Sequence, residues 1–562
     1  MTRIVLLLLT IGLGAAWYLG LPSPGPVQDP TAGSAPRELR GAIHVHTNRS
    51  DGTGTVETVA AAARAGLDFV VFTDHGDGTR KPDPPQYRDG VLCIDGVEIS
   101  TRDGHVLAFG MEQAPYPLGG EARDVVEDVT RLGGFTIAAH PSSNKPDLDW
   151  RDWEVPVDGL EWLNGDSEWR DESTWTLAKS LFTYPARPVE TLAGLLDRPA
   201  AALQRWDALA RERRVVAIIG SDAHARIGLP SQGDPYQDGL SLRLPGYEQL
   251  FRLFSNVVPD LTLSGDPVAD ARAILAVVRA GHVYSRIDAV GAGTLSLRAA
   301  AAGTSVGAGD VLPVIGGATL RVDVQRAPDA RVDVWKDGAR VAEGVELPLE
   351  WAADGPGVYR VEVSRAGAPG APPVPWMIAN PIYVGREAGT RPAAPRRPPA
   401  LVTMPRYTNG PADGWTIETS PASSAALDVV KGARGTELAL RYAVGGAASS
   451  GPFAAFVMTP GPDLARADRL LFTARADRRM RLSLQLREPA GEDGHRWQRS
   501  VYVDTEPREI TVYFDDMRPV GAAPRDRPTL PAVESILFVM DTINTPLGGS
   551  GRIWIDDVRY AR

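Results

Sequence analysis

The sequence predicts an α/β barrel-type domain followed by two all-β sandwich domains. Three observations carry this expectation. Between residues 39 and 290 apolar, β-branched strands alternate with helical stretches, and most candidate metal-binding side chains fall at the ends of those strands. Beyond Gly291 the helical pattern gives way to short strands separated by turn signals. At 562 residues the chain is also too long for one hydrophobic core. The expected organisation is a signal peptide or N-terminal membrane anchor over 1–24, a flexible linker over 25–38, the barrel over 39–290, a sandwich over 291–386, a Pro- and Arg-rich linker over 387–402 and a second sandwich over 403–562.

At the N-terminus, Arg3 precedes the uncharged stretch 4–21, whose densest part, 4–13, has the length of a signal-peptide core, with Gly14-Ala15-Ala16 as a small-residue cleavage site. The whole stretch is also close to the ~20 residues that span a bilayer, and Trp17 and Tyr18 suit an interface. A cleaved leader and a retained anchor both stand. Either way the bulk of the chain is expected outside the cytoplasm: periplasmic, extracellular or membrane-anchored facing outward.

Residues 41–52 read G-A-I-H-V-H-T-N-R-S-D-G, an apolar strand that delivers His44 and His46 and then a turn that delivers Asp51. Side chains at i and i+2 of a strand share a face, so both imidazoles are expected to point one way with Ile43 and Val45 packed behind them. Taken alone, H-x-H fits a metal site and an exposed polar strand face equally well; the later motifs decide. Thr55 or Thr53 is expected to cap a helix running through 59–65, with Gly66 as its left-handed stop. A strand over 67–73 ends in Asp74-His75. Strands follow over 91–100, carrying Glu98, and over 104–110, with His105 at its start. A helix over 121–132, closed by Gly133-Gly134, leads to a strand over 135–139 and then His140-Pro141. Another strand over 159–164 ends in Asn164. Residues 174–213 read as helical, broken by Pro185, Pro188 and Pro199, and the strand over 215–219 runs into Gly220-Ser221-Asp222-Ala223-His224. In closed α/β barrels the strand ends carry the active site, because several strands converge there on a rigid frame.

Six of the eight histidines lie in these motifs, and His282 and His495, which do not, read as structural or solvated. Cys93 is the only cysteine; it sits in an apolar stretch, reads as a buried thiol and permits no internal disulfide. The formal net charge of −11 and the absence of a basic run exclude a nucleic-acid partner.

Together, H-V-H-T-N-R-S-D-G, F-T-D-H, G-V-E-I-S-T-R-D-G-H, A-A-H-P and G-S-D-A-H resemble the PHP (polymerase and histidinol phosphatase) superfamily of metal-dependent phosphoesterases over residues 39–290. The resemblance implies a distorted (β/α)7 barrel holding two or three divalent ions at its C-terminal mouth. It implies His44, His46, Glu98 and Asp222 as ligands of one ion, with Glu98 bridging to a second that also takes His105 and His140. A third ion falls to Asp51, His75 and His224. Some members of the superfamily have histidine where Asp51 stands, which bears on the identity of the metal. Imidazole and carboxylate donors without thiolate suit zinc, manganese or iron. A bound divalent ion lowers the pKa of water from 15.7 to about 7, and a second stabilises the leaving oxygen. Asp222 and Glu98 are therefore the catalytic candidates, Asp222 as acceptor of the water proton. Asp74 is read either as an orienting residue or as a simple turn residue. For substrate contacts the candidates are Arg80, Lys145, Asn164 and Arg226, while Trp162 and Trp169 read as packing.

Downstream, W-M-I-A-N-P-I-Y-V at 376–384 is similar to the branch of PHP-related metallohydrolases that includes carbamate-insecticide hydrolases, and that branch implies ester or carbamate cleavage. The final domain, ending I-W-I-D-D-V-R-Y, resembles galactose-binding-like or carbohydrate-binding jelly rolls, which implies a carbohydrate or cell-surface ligand; a packing-only sandwich stands beside it. The first expectation is thus an exported phosphoesterase acting on a small molecule, the second a carboxylester or carbamate hydrolase on the same ions. The third, a catalytically inactive cell-surface binding protein, is disfavoured because no expected ligand is missing.

Overall fold

The computed structural model describes residues 17–18, 20–24, 38–228, 241–314, 317–327, 329–386, 389, 397–433, 435–446, 451–490, 494–521 and 523–562. The expected leader over 1–24 and the linkers over 25–38 and 387–402 fall largely outside them. Among the described residues, no helix is long and apolar enough to cross a membrane. The chain divides into two compact units, one built from residues up to 76, 81–112 and 121–393, the other from 77–80, 113–120 and 394–562.

The first unit opens with β1 (Leu39–Val45), β2 (Phe69–Phe72), β3 (Gln86–Arg88), β4 (Val91–Asp95), β5 (Val97–Thr101), β6 (Gly104–Phe109), β7 (Phe135–Ala138), β8 (Gly159–Asn164) and β9 (Val216–Ala223). A two-stranded ribbon of β10 (Ile227–Gly228) and β11 (Ser241–Leu242) precedes β12 (Ser255–Val258) and β13 (Tyr284–Arg286). The helices are α1 (Val56–Ala63), α2 (Ala122–Arg131), α3 (Thr174–Thr183), α4 (Pro188–Ala193), α5 (Ala200–Ala210), α6 (Tyr247–Phe251) and α7 (Pro267–Ala280).

The expected (β/α)7 barrel is not the fold. The chain is mostly β, with 35 strands against seven α-helices among the described residues, and the main sheet of the first unit is mixed. β1 runs parallel to β2 and β9, β2 to β4, and β7 and β8 to β8 and β9 respectively. However, β5, β6 and β7 are antiparallel neighbours, and β12 and β13 are antiparallel additions next to β1. The reason is local: only Arg102 and Asp103 separate β5 from β6, a link long enough for a hairpin and too short for the crossover helix a parallel pair needs. Strand periodicity alone does not carry that distinction.

The sheet also does not stop at residue 290. β13 pairs antiparallel with Met377–Ala379, and the same hydrogen-bonded sheet continues through Gly357–Ser364, Arg331–Lys336 and Ala339–Glu346. A separate four-stranded sheet of Thr304–Gly307, Thr294–Ala301, Thr319–Gln325 and Leu349–Ala352 covers it. Between them lies a core that includes Leu297, Leu320, Val334, Val361 and Trp376. Arg360, buried in the same unit, donates to both oxygens of Asp207 and to Glu362, and its guanidinium lies 4.8 Å from the ring centre of Trp335.

Helix ends follow sequence chemistry in part. The Thr55 hydroxyl caps α1 by accepting from Thr58 N–H, but α1 ends at Ala63 with Arg64 in right-handed geometry, so Gly66 is not a left-handed stop. Gly133 does take the left-handed conformation after α2, and Gly281 does so after α7, whose first turn is capped by Asp266.

The second unit is a β-sandwich of two six-stranded sheets. Its long terminal strand, Ser550–Ala561, lies between Gly435–Ala443 and Arg469–Ala476, and Ser535–Asp541 holds the centre of the other sheet. Trp415, Phe456, Phe472 and Phe538 interlock as aromatic pairs between 5.1 and 6.1 Å, which is the stacking and edge-on range that stabilises such cores.

Candidate metal centre

The strand β1 delivers its two histidines through a bulge. Its register to β2 moves from Ile43 opposite Val71 to Val45 opposite Phe72, so His44 is the extra residue, with φ at +69°. His46 lies just past the strand end. The two imidazoles nevertheless converge as the i, i+2 spacing suggested, with their Nε2 atoms 3.1 Å apart and both rings buried. β9 supplies Asp222, also left-handed, at φ +47°, and His140 beyond β7 has φ +31°. Left-handed backbone is costly away from glycine, and its recurrence at three candidate ligands marks a site whose side chains are aimed at the expense of local comfort.

Glu98 on β5 is the hub. Its Oε1 lies 2.7 Å from His105 Nδ1 and 3.0 Å from His140 Nε2. Its Oε2 lies 3.1 Å from both His44 Nε2 and His46 Nε2, and 3.4 Å from His75 Nδ1. A backbone bridge holds His75 beside Glu98, with Gly76 N–H donating to Glu98 O at 3.0 Å. Asp222 Oδ1 stands 3.2 Å from His44 Nε2 and 3.3 Å from His46 Nε2. Asp51 Oδ2 stands 3.2 Å from His224 Nε2, and the His224 ring stacks on His46 with centres 4.1 Å apart.

Donor atoms thus fall into three overlapping groups, each within 4.8 Å: His44, His46, Glu98 and Asp222; His75, Glu98 and His105; and His46, Asp51, His75 and His224. The first is the set expected for one ion. The second has His75 where His140 was expected, although His140 still touches Glu98, and the third adds His46 to the expected three. All nine candidate ligands are therefore brought into one cluster.

The donor chemistry fits divalent cations. Four carboxylates, Asp51, Glu98, Glu161 and Asp222, are packed among six imidazoles, and Asp51 Oδ1 is buried without accepting a hydrogen bond. Burial lowers the pKa of His44, but Asp222, Glu161 and Glu98 outweigh it and raise it well above the usual imidazole value. Burial opposes ionisation of Glu98 and Asp222 as well, yet the surrounding imidazoles hold both well below the usual carboxylate range. Burial, with His46 and His105 nearby, brings His75 down to about 4 against the pull of Glu98. A cluster in which imidazoles must carry protons to balance carboxylates is one where cations satisfy the same demand.

Glu161 on β8 was not singled out by the sequence motifs. Its Oε1 lies 2.7 Å from His44 Nδ1, while Oε2 accepts from His140 N–H and from Asn164 Nδ2, each at 2.7 Å. An acidic residue inside the fully buried strand G-L-E-W-L-N was the available signal. Asp74 holds the loop after β1: Oδ1 accepts from Thr47 N–H and Ser50 Oγ, and Oδ2 from Thr47 Oγ1, each at 2.7 Å. Tyr247 on α6 donates its hydroxyl to His46 O at 2.9 Å and accepts from Gly54 N–H at 3.1 Å, an arrangement with no sequence signal.

The candidate substrate residues fare unequally. Asn164 is buried, and its amide is engaged at both ends, by Glu161 and by Asp166 and Ser167 N–H. Lys145 is exposed at the site's edge, where partial burial of its ammonium and Arg170 lower its pKa, and Asp166 and Asp222 oppose them. Arg226 is half-buried two residues past His224. Arg80 belongs to the short segment 77–80 that groups with the second unit. Trp162 is buried and donates to Ser285 Oγ, and Trp169 donates to Asp166 while Arg170 stacks 4.4 Å over its ring. His282 and His495 lie outside the cluster, and Cys93 is buried in β4.

No family model and no curated protein matches the chain. Among solved structures, it is similar to a family 11 carbohydrate-binding module of a cellulosomal cellulase of Clostridium thermocellum, at 15% identity and a TM-score of 0.25, over 29% of this chain and 95% of that one. A family 30 carbohydrate-binding module of another cellulosomal cellulase of Clostridium thermocellum matches at 11% identity and a TM-score of 0.22, over 28% of this chain and 96% of that one. A module described for specific mannan recognition matches at 14% identity and a TM-score of 0.21, over 29% of this chain and 99% of that one.

Proposed function

We propose that this chain is an exported metal-dependent hydrolase with the chemistry of PHP-type phosphoesterases, working with two or three zinc, manganese or iron ions. The observation that carries the reading is the convergence of His44, His46, Glu98 and Asp222 donor atoms within 4.8 Å, with the other five candidate ligands around them. When bound, divalent ions supply Lewis acidity to the scissile group and a hydroxide at neutral pH.

The chain's own residues set up that chemistry. Glu161 accepts the Nδ1 proton of His44 and so leaves the Nε2 lone pair facing Glu98 and Asp222. Glu98, with one oxygen toward His105 and His140 and the other toward His44 and His46, spans two groups of donors. Asp222 is the carboxylate available to take the proton of the attacking water. Lys145, within electrostatic reach of Asp222 at the exposed edge, is the cation on hand for an anionic substrate.

An anionic phosphoester gains more from clustered cations than a neutral ester does, which ranks phosphoester cleavage above carboxylester or carbamate cleavage. The runner-up rests on the 376–384 resemblance. There, Asn380 bonds the backbone N–H and C=O of Ala217 and Trp376 donates to Gly291 O, so the segment braces the sheet under β9. For the second unit, a carbohydrate or cell-surface ligand is the proposed partner.

The test is elemental analysis of the purified chain, followed by side-by-side turnover of nitrophenyl phosphate mono- and diesters against acetate and carbamate analogues, with Asp222→Ala as control. Bound transition metal and phosphoester turnover lost in the control are expected. Carbamate or acetate turnover without phosphoester turnover would reverse the ranking, and a metal-free, chelator-indifferent protein would overturn the proposal.

A further inference from the structure

Eleven large apolar side chains are exposed among the described residues, and four of them, Tyr18, Trp175, Leu181 and Phe182, come from α3 and the short segment packed against it. All three aromatic members of that set are in this patch. Trp175 is 79% exposed, Leu181 54%, Phe182 63% and Tyr18 65%, so none is buried by the rest of the unit. On a helix, 175, 178, 179 and 182 share one face with 181 at its side; Ala178 and Lys179 are both exposed there, so the apolar face carries a single cation of the kind that accompanies interfacial helices.

The N-terminal segment is fastened to this face. Trp17 meets Phe182 edge-on, with ring centres 6.3 Å apart, and its Nε1–H donates to Phe182 O at 3.3 Å. Beyond α3, the Arg187 guanidinium donates to Pro22 O. The residues that immediately precede Trp17 in the sequence, 4–16, are uncharged and strongly apolar.

From this we infer that the Trp175, Leu181 and Phe182 face of α3, with Tyr18, is a bilayer-docking surface that rests in the lipid interface beside the retained N-terminal segment. Tryptophan and tyrosine have an apolar ring with a polar edge and collect at that depth, and a helix with one apolar face lies in the plane of the interface. Continuity favours lipid over a protein partner: the chain that follows the apolar 4–16 sequence meets the folded unit at this face through Trp17. None of these four side chains belongs to the histidine and carboxylate cluster, so the docking surface is independent of the proposed chemistry.

The experiment uses the full chain reconstituted in phosphatidylcholine vesicles. In a Cys93→Ala background, Trp175→Cys or Leu181→Cys is labelled with an environment-sensitive fluorophore, and Val341→Cys and Val429→Cys, at exposed valines of the β-sheets, serve as references. Lipids carrying shallow spin labels should quench the two α3 positions at least about twofold more than the references, with blue-shifted emission. Equal quenching at all four positions overturns the inference. Blue-shifted but unquenched α3 labels also overturn it, because protein then covers the face. A natively processed chain lacking residues 1–16 whose α3 labels stay unquenched with vesicles overturns it as well. Circular dichroism of each labelled variant confirms that the comparison is made on folded protein.

Discussion

The Glu161 carboxylate stands 2.7 Å from His44 Nδ1, which leaves Nε2 as the ring nitrogen turned toward Glu98 and Asp222. The same carboxylate holds the His140 backbone through its second oxygen. Glu161→Gln should therefore keep the shape and lose the preference for the correct His44 tautomer. Metal affinity, read by competition with a chelator of known affinity, is expected to fall by about 10- to 100-fold while circular dichroism is unchanged. Unaltered affinity would leave Glu161 as a packing residue only.

Gly220 reaches the same point from the opposite side. A Cβ at residue 220 would lie 1.9 Å from Glu161 Oε1, so Gly220→Ala must push the carboxylate away from His44. Its expected signature is the metal loss of Glu161→Gln together with destabilisation of about 1–3 kcal/mol from overpacking, measured by urea unfolding. A variant as stable and as well loaded as the parent would mean that β8 and β9 separate at no cost.

Glu98 faces five imidazoles, whereas His105 faces Glu98 from one side. Glu98→Ala should lower bound metal by more than one equivalent per chain, and His105→Ala by one at most. Elemental analysis of both proteins after the same purification distinguishes a shared ligand from a local one. Equal losses would argue against bridging.

Away from the cluster, Glu168 offers a test by pH. Desolvation, with Asp171, Asp197 and Glu172 nearby, pushes its carboxyl up to about 8, against the pull of the Asp197 N–H. An acid with a raised folded-state pKa favours the fold most below its unfolded value, near 4.5, and that preference disappears as pH rises through 8. Glu168→Gln keeps the hydrogen-bonding shape without the titration. Relative to the parent it should gain on the order of 1–4 kcal/mol between pH 5 and pH 8.5 in denaturant unfolding, the upper figure applying if the full shift is expressed. A difference that is flat with pH would show that solvent already reaches the carboxyl.

The candidate ligands were legible because their chemistry is local: H-x-H, D-H, the glutamate of G-V-E and S-D-A-H each place possible donor atoms at or near a strand end. Convergence of nine such residues needed only that the strands share a sheet. The fold itself was less legible. Strand direction is set by link length and long-range pairing, so the β5–β6 hairpin and the antiparallel β12 and β13 turned an expected (β/α)7 barrel into a mixed, mostly β unit. Gly66 looks like a helix stop in the sequence, but α1 already ends at Ala63 with Arg64 as its right-handed cap, so no left-handed turn is needed at Gly66. Glu161 is not legible from the sequence because a buried acid within a strand carries no motif, nor is Tyr247, whose partners are backbone atoms 201 and 193 residues away.

The pairing of β13 with Met377–Ala379 bears on how such a protein is inherited. Two layers that share hydrogen bonds across residue 290 cannot be exchanged as independent cassettes, since a gene break there would strip β13 of its neighbour and leave the backbone donors and acceptors of a buried strand edge open to intermolecular pairing. The first sandwich is thereby tied to the half that carries the histidine and carboxylate cluster as a single heritable block, and recombination that swaps it must rebuild the same three-residue ladder of Tyr284, Ser285 and Arg286 against Ala379, Ile378 and Met377.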